Sequence, residues 1–486
     1  MGIDGMDPRL CEGMMKEGQL PNLTKLRAAG GFSALGTSIP PQSPVAWANF
    51  INGAGPGSHG IFDFIHRHPH EQCKPFYSAA ETLPGVGGWD VGEHKVQLDF
   101  WPFSHKPPST VLKRQGVPFW DYLDAAGVPT TFYDLPSNYP PSPSKHGHHR
   151  CLCGMGTPDM LGSYGTYQHF ADNGPDEPLD EGGGKRFRLA FENETAKAHL
   201  VGPENSLLIT PRPVTVEFLV HRDRRADAAV IELQGKRILL RAGQWSSWTK
   251  VDFGLSTPAL VPTKHVSGIV RFYLQEVAPN FRLYVTPVNI DQSGPAVKMS
   301  ETVASFVQDL SGRLGLFYTA GFQEDHKACS NGVFNDDEFA SAGGHCPSRS
   351  GWALFEDAVE NYDDGLLFFY FSSSDLQSHI FWWTSTPATR SGPTPRPRST
   401  SATSAGCTKA RRSDRRHLRP LRQPGDPLRD ERPRLLELRP AVQPELLATR
   451  DAGYLGLPEC TSIMKDADWS KTAWPTAWGS TGCTST

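Results

Sequence analysis

Residues 366–371, Leu-Leu-Phe-Phe-Tyr-Phe, form an unbroken run of large aliphatic and aromatic side chains. Such a run, followed by polar residues, predicts a buried strand in the middle of a sheet. The polar residues 372–375 end this strand, and a helix is expected to follow. On that helix Asp375 and His379 would lie four residues apart on one face. A carboxylate and an imidazole at this spacing can bind a divalent metal ion, although many such pairs are merely solvated.

Residues 6–29 carry a helical pattern that Gly30 and Gly31 would end. The apolar stripe of this helix consists of Leu10, Met14, Leu20, Leu23 and Leu26. Residues 2–5 would then be the last residues of a strand, with Asp4 at its carboxyl end. Open α/β sheets place ligand-binding groups at this position. The alternative is an ordinary turn or helix-capping aspartate.

Residues 40–50 predict a second helix, with Ser43 directly before it and Pro44 at its first position. A hydroxyl group there faces free backbone N–H groups and the positive end of the helix dipole. Such a position binds phosphate readily. The simpler interpretation is that Ser43 only caps the helix.

Short β-type runs separated by turn residues fill residues 205–296 and predict a β-rich insertion. The clearest runs are residues 206–210, 214–220, 229–233 and 281–285. Two interpretations are equally open: a lid or substrate-binding module, and a structural appendage.

A cluster of histidine and cysteine residues precedes this insertion. It comprises His146, His148, His149, Cys151 and Cys153. The cluster could bind a soft metal ion, but its spacing is tight and no second cluster pairs with it. We therefore favour a polar loop.

The length, the net charge and the number of cysteines exclude some classes of protein. The 486 residues suggest two or three domains, and the net charge of −4 argues against a general nucleic-acid binder. Nine cysteines in so long a chain favour free thiols over a disulfide scaffold. No apolar run is long enough to span a membrane and no signal peptide is visible, so a soluble, cytoplasmic protein is expected as the sequence is written. Export stays open, because the first strand looks cut short.

Taken together, several motifs resemble the alkaline phosphatase superfamily, and within it the type I phosphodiesterase/nucleotide pyrophosphatase family. The resemblance covers residues 1–165 and 300–383. It is carried by residues 2–8 (Gly-Ile-Asp-Gly-Met-Asp-Pro), 20–23 (Leu-Pro-Asn-Leu), 37–44 (Thr-Ser-Ile-Pro-Pro-Gln-Ser-Pro), 56–61 (Pro-Gly-Ser-His-Gly-Ile) and 374–379 (Ser-Asp-Leu-Gln-Ser-His).

The resemblance implies a fold, a pair of metal ions and a reaction. The fold is a three-layer α/β/α sandwich around a mostly parallel sheet, with an inserted β-rich domain. Two divalent metal ions, expected to be zinc, are implied. One would be bound by Asp4 and the nucleophile Ser43 together with an Asp-His pair from a later Asp-His-Gly motif, and the other by Asp375, His379 and a further histidine. The chain as written keeps about half of this ligand set. The implied reaction is hydrolysis of a small-molecule or nucleotide-like phosphoester through a phosphoseryl intermediate, with no nucleic-acid-specific partner.

The implied division of the chain has five parts. Residues 1–165 and 301–383 are the two halves of the catalytic domain, and residues 166–300 are the β-rich insertion. Residues 384–450 contain no Phe, Tyr, Trp or Ile, so they cannot build a core. They are either a disordered basic linker or, as we prefer, a segment read in a shifted frame. An alternate frame over residues 417–434 can encode a strand and the Asp-His-Gly motif that the family uses for its remaining metal ligands. Residues 451–486 are a residual C-terminal segment.

Two alternatives to phosphoester hydrolysis follow from the same residues. One is a sulfatase or phosphotransferase on the same scaffold. Sulfatases usually have an arginine shortly after the modified cysteine or serine, and residues 43–53 contain none. The other is an inactive, frame-shifted fragment whose β-rich module binds a glycan or a protein.

Overall fold

The computed structural model describes residues 1–39, 41–67, 75–77, 79–83, 85, 87–96, 109–259, 261–293, 304–340 and 345–381. The helices are α1 Pro8–Lys16, α2 Pro21–Gly30, α3 Ser43–Asn52, α4 Pro56–His59, α5 Phe119–Ala125, α6 Ala304–Leu314, α7 His326–Ser330, α8 Asp336–Glu338, α9 His345–Glu360 and α10 Ser373–Phe381.

The strands before the β-rich region are β1 Gly2–Ile3, β2 Ile65–Arg67, β3 Pro75–Tyr77, β4 Ala80–Leu83, β5 Trp89–Val91, β6 His94–Val96, β7 Ser109–Leu112, β8 Thr130–Leu135 and β9 His149–Cys153. Those that follow are β10 Tyr167–Ala171, β11 Leu179–Asp180, β12 Gly184–Arg188, β13 Phe191–Glu192, β14 Thr195–Glu204, β15 Pro213–Asp223, β16 Ala228–Leu233, β17 Lys236–Arg241, β18 Gln244–Trp245, β19 Thr249–Leu255, β20 Lys264–Val270, β21 Phe272–Glu276, β22 Arg282–Val285, β23 Asn289–Ile290 and β24 Leu366–Phe371.

A parallel sheet with the strand order β1-β24-β8-β9 joins the two ends of the described chain. The predicted strand at residues 366–371 is confirmed as β24, and it lies inside this sheet. Alternate side chains of β24 enter different cores. Phe369 packs with residues of α6 and α9, whereas Phe368 and Tyr370 pack near Ile51 of α3 and Trp120 of α5. The mixed α/β class is therefore confirmed.

The single helix predicted over residues 6–29 is wrong, because the structure has two helices there. Gly18 adopts a positive φ of 72° after the end of α1, and Pro21 begins α2. Proline suits a first helical turn but not a helix interior. Two of the predicted stripe residues, Leu10 and Leu26, are exposed. The predicted Met14 and Leu20 are in the core beneath α1, with Leu23 packed against it, and Cys11 and Met15 complete that core.

Antiparallel pairing dominates between residues 167 and 290. Three sheets lie there: β11-β12-β10-β22-β21-β18, β13 to β17 in sequence order, and β19-β20-β23. Of the four predicted runs, three lie in strands β15, β16 and β22. The prediction for residues 206–210 is wrong, because Asn205 closes a turn there. Its side chain accepts a hydrogen bond from the N–H of Leu207, and its carbonyl accepts one from that of Leu208.

The predictions about membrane-spanning segments, the C-terminal segments and the domain boundaries remain to be compared with the structure. Among the residues that the structure describes, no helix is both long and apolar enough to cross a membrane. The segments 384–450 and 451–486 lie outside the described residues. The domain boundaries stay predictions.

Candidate functional site

The four predicted site residues come together at the carboxyl edge of the parallel sheet. Asp4 directly follows β1, and Asp375 lies in the first turn of α10, directly after β24. Because β1 and β24 are parallel neighbours, their carboxyl ends meet. Ser43 begins α3 and its side chain hydrogen-bonds the Asp4 carboxylate. His379 lies one turn after Asp375 on α10.

The predicted local position of Ser43 needs one correction. Ser43 is the first residue of α3 and not the residue before it, and the N-cap is Gln42. Gln42 has extended backbone angles, and its carbonyl accepts the first helical hydrogen bonds, from the N–H groups of Val45 and Ala46. The simpler interpretation of Ser43 as an N-cap is therefore wrong. The side chain is buried, with 5% of its surface exposed, and points toward Asp4.

Two aromatic residues that the sequence did not reveal hold the Asp4 carboxylate. The Tyr370 hydroxyl donates to Oδ2 at 2.6 Å, and the Trp47 indole N–H donates to Oδ1 at 3.2 Å. The backbone N–H of Gly5 also donates to Oδ1, at 3.2 Å. Trp47 lies one helical turn after Ser43, so helical spacing could have suggested it. Tyr370 sits in β24 and its contact depends on strand pairing.

Opposing effects act on the pKa values of Asp4 and His379 in this cluster. Burial raises the pKa of Asp4, and the nearby Asp375 carboxylate raises it further, while the hydrogen bonds from Tyr370, Ser43 and Trp47 lower it. His379 Nε2 lies 3.5 Å from Asp375 Oδ2. This contact with Asp375 raises the pKa of His379, and burial acts against it. The predicted pairing of Asp375 and His379 on one helix face is confirmed.

The segment before α7 adds two groups that sequence reasoning missed. Glu324 is fully buried, and its Oε1 accepts a hydrogen bond from the Ser373 hydroxyl at the start of α10. Burial raises its pKa to about 7. His326 lies near His379, and burial lowers the pKa of His326 to about 4. The clustered Glu-Asp-His at residues 324–326 was a visible signal.

Asp134 is a third missed acidic group. It lies near the carboxyl end of β8, the strand beside β24, and has a positive φ of 58°. Burial raises its pKa to about 7, and the side-chain amide of Gln323 donates to its carboxylate at 3.2 Å. The loop that follows β8 reaches α3, because the Ser137 hydroxyl donates to the carbonyl of Pro44 at 3.3 Å.

The predicted polar loop at residues 146–153 is wrong for its second half. Residues 149–153 form β9, and His149, Cys151 and Cys153 are buried. His149 stacks on Trp120 with 5.4 Å between ring centroids, and burial lowers its pKa to about 4. These side chains belong to the core around β8 and β9. Among the cysteines with described side chains, Cys11, Cys151 and Cys153 are free thiols.

The donor atoms at the carboxyl edge of the parallel sheet are of the types that bind divalent cations. Asp375 Oδ1 is buried and has no hydrogen-bond partner among the described residues, so it is an acceptor open to a cation. Oxygen and imidazole ligands are those that zinc binds in hydrolases. Within the described part of the chain, however, no group of three or more His, Cys, Asp or Glu side chains is gathered for one ion. The predicted ligands among the described residues form two contacts, Ser43 with Asp4 and His379 with Asp375.

A hydroxyl group, carboxylates and an imidazole at one sheet edge are groups that can take part in the hydrolysis of a phosphate ester. Residues 1–210 match the family model described as Type I phosphodiesterase / nucleotide pyrophosphatase. This part of the chain is therefore similar to that family, which belongs to the alkaline phosphatase superfamily, as the sequence motifs predicted. The match includes Asp4 and Ser43, whereas Asp375 and His379 lie beyond it. Comparison with curated proteins and with solved structures returned no match.

Proposed function

We propose that the chain is a metal-dependent phosphodiesterase or nucleotide pyrophosphatase that acts through Ser43. The observation that carries the proposal is the contact of Ser43 with Asp4 at a sheet edge shared with Asp375 and His379. The family match supports hydrolysis of phosphoesters and does not favour a sulfatase or phosphotransferase. We also infer the three-layer sandwich, because β24 packs against helices through alternate side chains.

In this mechanism Ser43 Oγ attacks the phosphorus atom of the ester. The Asp4 carboxylate accepts the hydrogen bond of the hydroxyl and fixes its direction. The bond between phosphorus and the leaving oxygen breaks, and that oxygen takes up a proton. Water then cleaves the phosphoseryl ester and restores Ser43.

Asp4 with Ser43, and Asp375 with His379, would hold two divalent cations, which we expect to be zinc. When bound, the cations would stabilise negative charge on the attacking and leaving oxygens. Tyr370 and Trp47 keep the Asp4 carboxylate in one orientation, so that Ser43 and the phosphate can meet in line.

Hydrolysis of bis(p-nitrophenyl) phosphate with and without added zinc tests this function. We expect zinc-dependent release of nitrophenol from the unaltered chain. Ser43→Ala should lower the rate on the order of a thousandfold or more, because the nucleophile is lost. Ser58→Ala is the matched control, since Ser58 is an exposed serine on α4. Full activity in Ser43→Ala would contradict the assignment of the nucleophile.

A further inference from the structure

The short segment that leads into α7 connects the ends of two neighbouring strands. Gln323 donates to Asp134 near the carboxyl end of β8, and Glu324 accepts from Ser373 after β24. The next residue, Asp325, accepts a hydrogen bond from the Tyr284 hydroxyl of β22 at 2.6 Å. Glu324 therefore has an anchored residue on each side, and its position against α10 is fixed.

The environment of Glu324 is unfavourable for a residue that only supports the fold. Its side chain has no exposed surface, and its Oε2 atom has no hydrogen-bond partner among the described residues. The neighbouring charge that acts on it is the Asp375 carboxylate, which has the same sign. Burying an acid in this way is costly, and a glutamine of nearly the same shape would fill the space without the charge.

Two unpartnered carboxylate oxygens lie in this part of the site: Glu324 Oε2 and Asp375 Oδ1. The Nδ1 atom of His326, near His379, is also buried and without a partner among the described residues. Such groups normally find a proton donor, a water molecule or an ion. Glu324 interacts with the charge of Asp375 and His326 with that of His379, so these unpartnered atoms lie beside the pair.

We propose that Glu324 is a positioning residue of the phosphoester site. Through Ser373 it holds the first turn of α10, and its carboxylate adds negative charge beside Asp375, which would hold a divalent cation. This inference rests on the proposed function, which identifies the site as one for phosphoesters. It concerns the affinity of the chain for a divalent cation and not the rate of hydrolysis. Groups that orient metal ligands from outside the ligand set typically change metal affinity 10- to 100-fold when altered.

The test measures zinc affinity and metal-free thermal unfolding for four proteins: the unaltered full chain, Glu324→Gln, Ser373→Ala and Glu192→Gln. Glu192, on the exposed side of β13, is the matched control for loss of one carboxylate. We expect Glu324→Gln to bind zinc about 10- to 100-fold more weakly while its metal-free melting temperature stays the same or rises. Ser373→Ala should weaken zinc binding in the same direction, because it removes the contact and keeps the charge.

Three results would overturn the role of Glu324. They are equal zinc affinity in Glu324→Gln and the unaltered chain, a fall in metal-free melting temperature that accompanies the loss of affinity, and no zinc binding by the unaltered chain. The last result would also count against the proposed function. If zinc binding weakens as expected but the unaltered chain hydrolyses no phosphodiester, the role of Glu324 is supported and the proposed function fails.

Discussion

At the scale of single residues, the site depends on hydrogen bonds to buried carboxylates. Asp4 is held by Tyr370 and Trp47, whereas Glu324 and Asp375 each keep an oxygen without a partner among the described residues. The first arrangement fixes a side chain, and the second leaves acceptors that a cation can use. This contrast separates Asp4, which hydrogen-bonds Ser43, from Glu324 and Asp375, whose open oxygens lie beside His379.

Tyr370→Phe is expected to lower the free energy of unfolding by about 1–3 kcal/mol. The change removes the 2.6 Å hydrogen bond to the buried Asp4 carboxylate and leaves the aromatic packing in place. Urea unfolding of the metal-free protein measures the effect. Tyr362→Phe is the control, because that tyrosine is 44% exposed and its hydroxyl bonds only the carbonyl of Gly365. Equal effects of the two changes would contradict the importance of the Asp4 contact.

Because of Asp134, a rise in pH is expected to lower the free energy of unfolding. A salt-bridged acid, whose pKa is lowered by folding, has the opposite effect. The pKa of Asp134 is raised from 3.8 to about 7 by burial. Between pH about 4 and about 7 the folded chain keeps this proton and the unfolded chain has lost it, so rising pH favours unfolding. The stabilisation of the folded chain by protonated Asp134 is complete below pH about 4 and is lost as the pH rises through about 7.

Asp134→Asn should remove this dependence. At pH about 8 we expect the variant to be more stable than the unaltered chain by up to about 4 kcal/mol, and the difference should shrink toward pH about 5. Urea unfolding at both pH values, in the presence of a chelator, measures it. Asp90→Asn, at an exposed position on β5, is the control. A difference that is the same at both pH values would show that Asp134 does not titrate in this range.

At the scale of elements, β24 and α10 are the parts that the sequence predicted best. Six consecutive large side chains predict a buried strand, and polar residues after it predict the helix that carries Asp375 and His379. The partners of these elements were not predictable in the same way. Tyr370 meets Asp4 across 366 positions of sequence, because β1 pairs with β24. No local pattern encodes that pairing.

Phe369→Ala tests the packing of β24 against the helices on one side of the sheet. Phe369 is 2% exposed and contacts the rings of Tyr133 and Phe355, with 5.4 and 5.2 Å between centroids. Removing a fully buried phenylalanine typically costs about 3–5 kcal/mol. Denaturant unfolding gives the value, and Phe62→Ala, at a 48% exposed position, should cost far less. A loss below 1 kcal/mol, as for an ordinary surface change, would show that Phe369 is not part of the core.

At the scale of the whole molecule, the site is assembled from both ends of the described chain. The family match covers the end with Asp4 and Ser43, and the other end supplies Asp375, His379 and Glu324. The order of the motifs along the sequence predicted Asp4, Ser43, Asp375 and His379 as site residues. The Glu-Asp-His run at residues 324–326 was visible in the sequence, but the burial of Glu324 and Asp134, on which their properties depend, was not.

Metal content tests whether the two halves act together. We expect about two zinc ions per chain after dialysis, one for each ligand pair. Elemental analysis by mass spectrometry measures the ratio directly. Asp375→Asn should lower it to about one, because the second pair loses its carboxylate charge. A chain that retains no zinc would contradict the proposed metal dependence.

The central claim is that Ser43 forms a covalent phosphoester during the reaction. The most direct test is rapid acid quenching of the zinc-loaded chain with a nitrophenyl phosphodiester, followed by peptide mass spectrometry. The account predicts a phosphoryl ester on Ser43 in the unaltered chain and none in Ser43→Ala. Turnover of the diester with the ester on another residue, or with full activity in Ser43→Ala, would contradict it.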